Sequence, residues 1–143
     1  MIMKKIYLLS VVLLLLMAGC SKEEEVKLSV SGTNAFAMNM GKGWEVQALT
    51  EVHGFKINEK DDMYSARIFF TVDIITASGQ TLKSIFTKEV DKKEKETFKG
   101  INLEAQFNIG ADYTAGKYKA VFNIKDMFSG KSTQDTTSLK LEN

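Results

Sequence analysis

The chain has 143 residues, with 19 basic and 18 acidic side chains and a formal net charge of +1. This near-neutral balance argues against nucleic acid as a partner, because phosphate binding requires a basic surface. A single histidine and a single cysteine argue against zinc sites and against histidine-dependent nucleophilic catalysis.

The N-terminus has the order of an export signal. Lys4 and Lys5 precede a predominantly apolar run from Ile6 to Met17, and the small residues Ala18 and Gly19 follow. The run has 12 residues, whereas a membrane-spanning helix needs roughly 20. Cleavage after residue 19 would leave 124 residues, with 17 basic and 18 acidic side chains, which is enough for one domain.

The end of this signal resembles the lipobox of bacterial lipoproteins, in the sequence Leu16-Met17-Ala18-Gly19-Cys20. The resemblance implies a diacylglycerol on the sulfur of Cys20 and cleavage just before it, so that residues 1–19 are the signal peptide. Two or three acyl chains would anchor the protein stably to a membrane. Because Cys20 is the only cysteine, no intramolecular disulfide can use it. The alternative is ordinary secretion with a free thiol, and no other cofactor is predicted.

A short polar segment, Ser21-Lys22-Glu23-Glu24-Glu25, follows the cysteine. It resembles the export signal of surface lipoproteins in the Bacteroidota, which implies the outer face of the outer membrane. A solvated spacer would have the same composition, and the periplasmic face is the alternative location. Residues 20–25 are therefore interpreted as a lipidated tether and residues 26–143 as one domain.

Beyond residue 25, apolar and polar residues alternate with the period of two that is typical of strands. Turns are predicted at 77–80 and 129–131, a solvated loop at 91–96, and no helix is indicated. Phe69 and Ile75 interrupt the alternation, which suggests a central strand covered on both faces. The pattern predicts a two-sheet antiparallel sandwich of seven to eight strands. The inward stripes are Val26, Leu28 and Val30; Trp44, Val46, Ala48 and Val52; Ala66, Ile68, Phe70, Val72 and Ile74; Leu82 and Phe86; Ile101, Leu103, Ala105, Phe107 and Ile109; Tyr118, Ala120, Phe122 and Ile124; Leu139 and Leu141.

The C-terminal third resembles immunoglobulin-like domains. Residues 112–120 resemble the corner that leads into their penultimate strand, where a tyrosine hydroxyl bonds back to the upstream backbone. Tyr118 matches that tyrosine, in a structural role. Residues 126–131 resemble the hairpin turn of bacterial immunoglobulin-like modules. The resemblance implies an immunoglobulin-like sandwich.

Few residues are candidates for chemistry. His53 is expected at the surface or half-buried. The carboxylates Glu45, Glu51, Asp73 and Glu104 could serve as acid and base, but each is explained by the solvated face of a strand. The segment 58–62 carries oxygen ligands without the spacing of a calcium loop, so a polar turn is predicted.

Two groups of residues could form a binding surface. The polar row Asn102, Glu104, Gln106 and Asn108 could bind a sugar or the edge of a peptide, with Tyr113 and Phe128 as aromatic companions at undefined distances. Trp44, Phe36, Met38 and Met40 are expected to cover the core, although methionine-rich surfaces can also bind partners adaptably.

The predicted function is a non-enzymatic binding or envelope-accessory module, anchored by lipid, with an unknown protein or glycan partner. The alternative is an inhibitor of an extracellular or periplasmic hydrolase that presents loops 58–62 and 91–96. A carboxylate-based hydrolase is a third possibility.

Overall fold

The computed structural model describes Glu25 and residues 27–143, and this part of the chain consists of strands and the loops between them. None of its segments is a helix long and apolar enough to span a membrane. The predicted signal peptide, the lipobox residues 16–19, Cys20, tether residues 21–24 and Val26 of the first predicted stripe lie outside the described residues, whereas Glu25 is exposed. The strands are β1 (Ser29–Asn39), β2 (Gly43–His53), β3 (Asn58–Lys60), β4 (Met63–Ile75), β5 (Thr81–Glu94), β6 (Gly100–Gly110), β7 (Gly116–Asp126) and β8 (Ser132–Leu141).

The strands form two antiparallel sheets, as the alternation predicted. The first sheet has the order β1-β2-β6. In the second sheet β4 lies between β5 and β7, β8 follows β7, and the short β3 extends along the end of β4. The eight strands agree with the upper predicted number.

The second sheet curls until β8 reaches the edge of β1. There the hydroxyl of Thr33 donates a hydrogen bond to the carboxylate of Asp135 at 2.5 Å. The indole N–H of Trp44 donates to the backbone carbonyl of Glu142 at 2.9 Å. Side chains thus close the molecule along the line where β1 and β8 meet.

The core lies between the two sheets and is centred on β4. Its predicted inward residues Ala66, Ile68, Phe70, Val72 and Ile74 are all fully buried. The stripes predicted for β2, β6, β7 and β8 are buried as well, which confirms the period-two interpretation of these segments. The glycine-containing turns at 77–80 and 129–131 connect β4 to β5 and β7 to β8, as predicted.

The solvated loop predicted for residues 91–96 is wrong over most of its length. Residues 91–94 belong to β5 and pair with residues 64–67 of β4. Backbone pairing at the edge of a sheet requires no apolar side chains, so a charged segment can continue a strand. Lys92 also lies 4.7 Å from the ring centroid of Phe98, a cation–π contact that lets a lysine take the place of an apolar residue. The inhibitor hypothesis thereby loses one of its two loops.

Candidate functional site

The outward side chains of the first sheet form a continuous surface, which we call the β1–β2–β6 face. The period of two that buries one side of each strand exposes the other side to solvent. The polar row predicted on β6 lies here and is exposed throughout. The face consists of Asn34, Phe36 and Met38 from β1, Glu45, Gln47, Leu49 and Glu51 from β2, and Asn102, Glu104, Gln106 and Asn108 from β6.

Large apolar side chains are exposed on this face and at its end. Phe36 and Met38 are each 43% exposed and Leu49 is 42% exposed, while Met40, just beyond β1, is 60% exposed. The expectation that Phe36, Met38 and Met40 cover the core is therefore wrong, although Trp44 is buried as expected. Clustered exposed apolar side chains with polar neighbours are typical of interaction sites.

The register between β1 and β2 explains why these side chains point outward. Ala35 lies opposite Ala48, and both are buried. Because neighbouring residues of a strand point to opposite faces, Phe36 must face solvent, where it lies opposite Gln47. After the register shift between Ser31 and Asn34, the inner side of β1 is left to Ala35 and Ala37, while Phe36 and Met38 remain outside.

The same register supplies the polar row with an aromatic neighbour. Phe36 pairs with Gln47, and Gln47 pairs with Gln106. With strands about 4.8 Å apart, Phe36 lies roughly 10 Å from Gln106 on one surface. Tyr113 and Phe128, the companions considered from the sequence, are half-buried in loops instead. Only strand pairing could reveal Phe36, because 70 residues separate it from Gln106 in the chain.

The β1–β2–β6 face carries charge of one sign. Its carboxylates are Glu45, Glu51 and Glu104, and His53 lies beside Glu51 at the end of β2. No lysine or arginine occurs in the three strands. β7, by contrast, places Lys117, Lys119 and Lys125 on exposed positions of the other sheet. The acidic side chains disfavour phosphate, sulfate or carboxylate groups as ligands of this face.

A cleft of about 400 Å³ lies at the rim of the face, between β6 and β5. Its polar lining combines amides and a carboxylate of the face with one cation from β5. Phe86 and Leu49 supply apolar surface. The lining residues are Gln47, Ala48, Leu49, Phe86, Lys88, Glu104, Ala105 and Gln106.

A shallow groove of about 520 Å³ lies on the outer side of the second sheet, beside Phe69 and Lys125. Its amides are largely paired with their neighbours. Asn123 donates to Thr71 at 3.2 Å and to Asp73 at 3.0 Å, and Gln134 donates to Asn123 at 2.9 Å. These mutual hydrogen bonds leave the groove fewer groups for a ligand than the β1–β2–β6 face offers.

Asp73 is a structural carboxylate, and its predicted place on a solvated strand face is wrong. It is only 3% exposed, because β5 bulges over it at Ser84, which adopts a φ of 49°. Its carboxylate accepts the N–H of Ser84 at 2.7 Å and bonds to Lys83 at 3.1 Å and Asn123 at 3.0 Å. Burial by itself raises the pKa of Asp73, but these hydrogen bonds and the Lys83 charge outweigh it and hold the pKa below 3.8.

We expect Asp73→Asn to lower the free energy of unfolding by about 1–2 kcal/mol at pH 7. A carboxylate with a depressed folded-state pKa stabilises the fold above its unfolded pKa, and this contribution is lost as pH falls through the folded pKa. The difference between wild type and variant should therefore shrink below about pH 4. Urea unfolding at pH 7, 5, 4 and 3 measures it, with the same change at the exposed Asp112, Asp112→Asn, as control. A difference that stays constant over this range would contradict the assignment.

The remaining candidate groups form no catalytic or metal constellation in the described residues. His53 is half-buried, as expected, 3.0 Å from the hydroxyl of Ser31 and 3.6 Å from Glu51. Asp61 and Asp62 form the two-residue turn between β3 and β4, both with positive φ. The polar turn predicted for residues 58–62 is confined to these two residues, because residues 58–60 pair with β4 as strand β3. No group of three possible metal ligands occurs in this part of the chain.

Tyr118 lies near the start of β7 and is 3% exposed. Its hydroxyl donates a hydrogen bond of 2.7 Å to the backbone carbonyl of Thr114, four residues upstream. This bond ties the loop before β7 to the core.

No family model and no curated protein matches the chain. Among solved structures, a family 123 glycoside hydrolase from Clostridium perfringens is similar over 71% of this chain and 22% of its own length, with 11% identity and a TM-score of 0.47. The chain thus spans less than a quarter of that enzyme. The X-ray structure of Northeast Structural Genomics Consortium target SoR45 is similar over 81% of this chain and 86% of its own, with 12% identity and a TM-score of 0.39. Similarities this distant carry no functional argument.

Proposed function

We propose that this chain is a lipid-anchored, non-enzymatic binding module whose immunoglobulin-like domain holds a protein or glycan on its β1–β2–β6 face. A lipid on Cys20 would anchor it to the outer membrane, and the segment 21–25 favours the cell surface. The periplasmic face of that membrane is the alternative location, and an envelope-accessory role fits either side.

The strand order supports the immunoglobulin-like part of the proposal. Sheets β1-β2-β6 and β5-β4-β7-β8 correspond to the A-B-E and C′-C-F-G sheets of such domains. In that correspondence β7 is the penultimate strand, and Tyr118 bonds from its start back to Thr114. This is the geometry of a tyrosine corner.

The observation that carries the binding role is the exposed apolar cluster beside the polar row. Phe36, Met38 and Leu49 remain over two-fifths exposed on a face that is otherwise amide and carboxylate. An aromatic ring supplies contact area, while amides and carboxylates supply directional hydrogen bonds. Because the face is acidic, its partner is a neutral glycan or a neutral to basic protein surface.

Replacing Phe36 with alanine tests the binding role. Aromatic residues at the centre of an interface typically contribute 2 kcal/mol or more, so we expect the dissociation constant to rise about 30-fold or more. Isothermal titration calorimetry with a panel of neutral oligosaccharides and purified envelope proteins identifies the ligand and measures the effect. The matched control is Met127→Ala, which removes a side chain that is 39% exposed away from this face. Equal affinity of Phe36→Ala and wild type for every ligand found would contradict the proposal.

Replacing Cys20 with serine tests the anchor. The variant lacks the sulfur that would carry the diacylglycerol, so we expect complete loss of palmitate labelling and release from the membrane fraction. Because Cys20 is the only cysteine, any thioether-linked lipid must be on it. Serine at position 21 offers a control, since Ser21→Ala should leave labelling unchanged. A Cys20→Ser protein that still sediments with membranes would overturn the lipid anchor.

A further inference from the structure

The free edges of the two sheets differ in how well they are protected from further strand pairing. The edge of β1 is covered by β8, with the hydrogen bond from Thr33 to Asp135 across the line of contact. β5 carries a bulge at Ser84 and many charged side chains, mostly between residues 88 and 94. Both features disfavour pairing with a further strand. Within the described chain β6 pairs with β2 alone, and Glu104 is its only charged residue.

The sequence of β6 is nearly palindromic about Ala105. Reading outward from this central residue, the strand gives matched types at each step: Glu104 and Gln106, Leu103 and Phe107, Asn102 and Asn108, Ile101 and Ile109, Gly100 and Gly110. Two copies of a strand related by a two-fold axis run antiparallel and pair each residue with its counterpart across the centre. The palindrome is therefore the pattern that a self-pairing edge strand requires.

Pairing over the whole length of β6 also keeps the Glu104 carboxylates of the two copies from lying opposite each other. With Ala105 on the two-fold axis, Glu104 of each copy lies opposite Gln106 of the other. The amide of Gln106 can then donate to the carboxylate, and like charges never meet directly. Asn102 lies opposite Asn108 of the second copy, so that both amides find partners. All four side chains are exposed in the monomer, so no core residue has to move.

We propose that β6 is a homodimer interface in which two copies join their first sheets into one six-stranded sheet, β1-β2-β6-β6-β2-β1. Pairing satisfies the backbone groups that the edge otherwise leaves to water. The two β1–β2–β6 faces then become one continuous surface with two Phe36 side chains, which adds bivalency to the proposed binding. The dimer itself does not depend on what the face binds, so the ligand assays with Phe36→Ala and the dimer assays can fail separately.

Charge substitutions at position 106 test the register in the full-length lipidated protein, in detergent, by sedimentation equilibrium. Gln106→Glu places like charges opposite each other twice in the dimer, and Gln106→Lys places opposite charges there. Each cross-strand pair contributes about 0.2–1 kcal/mol, so the dimer dissociation constant should rise about 2- to 30-fold for glutamate and fall by a similar factor for lysine. Circular dichroism verifies that both variants fold. A wild-type protein that stays monomeric at ~100 µM, well above a micromolar dissociation constant, would overturn the proposal. Equal shifts of the dissociation constant for both variants would overturn it as well.

Disulfide trapping tests the register directly. Asn102→Cys in one copy and Asn108→Cys in the other bring two cysteines opposite each other, within the Cα separation of about 4.4–6.8 Å that a disulfide needs. Oxidation of the mixed variants should give a cross-linked dimer, whereas either variant alone should not, because its two cysteines lie about 20 Å apart along the strands. A cross-link in a single variant that wild type does not form, or none in the mixture, would contradict the two-fold pairing.

Discussion

Replacing Asp126 with alanine should lower the free energy of unfolding by about 3 kcal/mol, because its buried carboxylate accepts three hydrogen bonds at once. Asp126 is fully buried at the end of β7. It accepts the N–H of Lys56 at 2.8 Å, the N–H of Phe128 at 3.0 Å and the hydroxyl of Ser129 at 2.6 Å. One side chain thus fixes the β7–β8 turn and ties the segment after β2 to it.

Asp126→Asn is the informative partner of this variant. Asparagine keeps the size and one acceptor oxygen but replaces the other oxygen with a donor, which cannot accept from Lys56 or Ser129. We expect a loss of about 1–2 kcal/mol, between wild type and alanine. Urea unfolding followed by circular dichroism measures both variants. The slope of the free energy of unfolding against urea concentration should be the same as in wild type. An alanine variant within about 0.5 kcal/mol of wild type would mean that water replaces these bonds.

The sequence predicts the strands that bury one regular face, because their inward residues repeat with the period of the pleat. β2, β4, β6 and β7 are of this kind, with Ala66 to Ile74 as the clearest stripe. The pattern does not predict where residues 91–94 go, since their pairing with β4 uses backbone groups that every residue carries. It also misplaces Asp73, because the bulge at Ser84 that buries this carboxylate is set by the partner strand.

The candidate site, too, has one part that the alternation predicts and one part that only strand pairing sets. The polar row on β6 is visible in the sequence, because alternation separates Asn102 to Asn108 from their buried neighbours. Phe36 is not visible as its companion, since hydrophobicity alone assigns a phenylalanine to the core. What decides its direction is the pairing of Ala35 with Ala48, a contact that depends on register. Strand pairing, rather than composition, therefore locates the proposed binding face.

Phe70→Ala and Phe36→Ala, the same chemical change at two places, should separate stability from binding. Phe70 is fully buried on β4, with its ring 5.8 Å from that of Phe86 and 6.0 Å from that of Phe122. Truncating it leaves a cavity at the centre of the core, and such changes typically cost about 3–5 kcal/mol. Phe36 contacts solvent on the outer face, so its truncation should cost less than about 1 kcal/mol.

The ligand assay should give the reverse order. At a temperature where both variants are folded, Phe70→Ala should bind with near wild-type affinity. Its ring lies in the core between the two sheets, whereas the β1–β2–β6 face is the outer side of the first sheet. Phe36→Ala should lose affinity while unfolding at nearly the wild-type urea concentration. If Phe36→Ala instead unfolded as easily as Phe70→Ala, the exposed ring would be part of the core, and the binding face would lose the observation on which it rests.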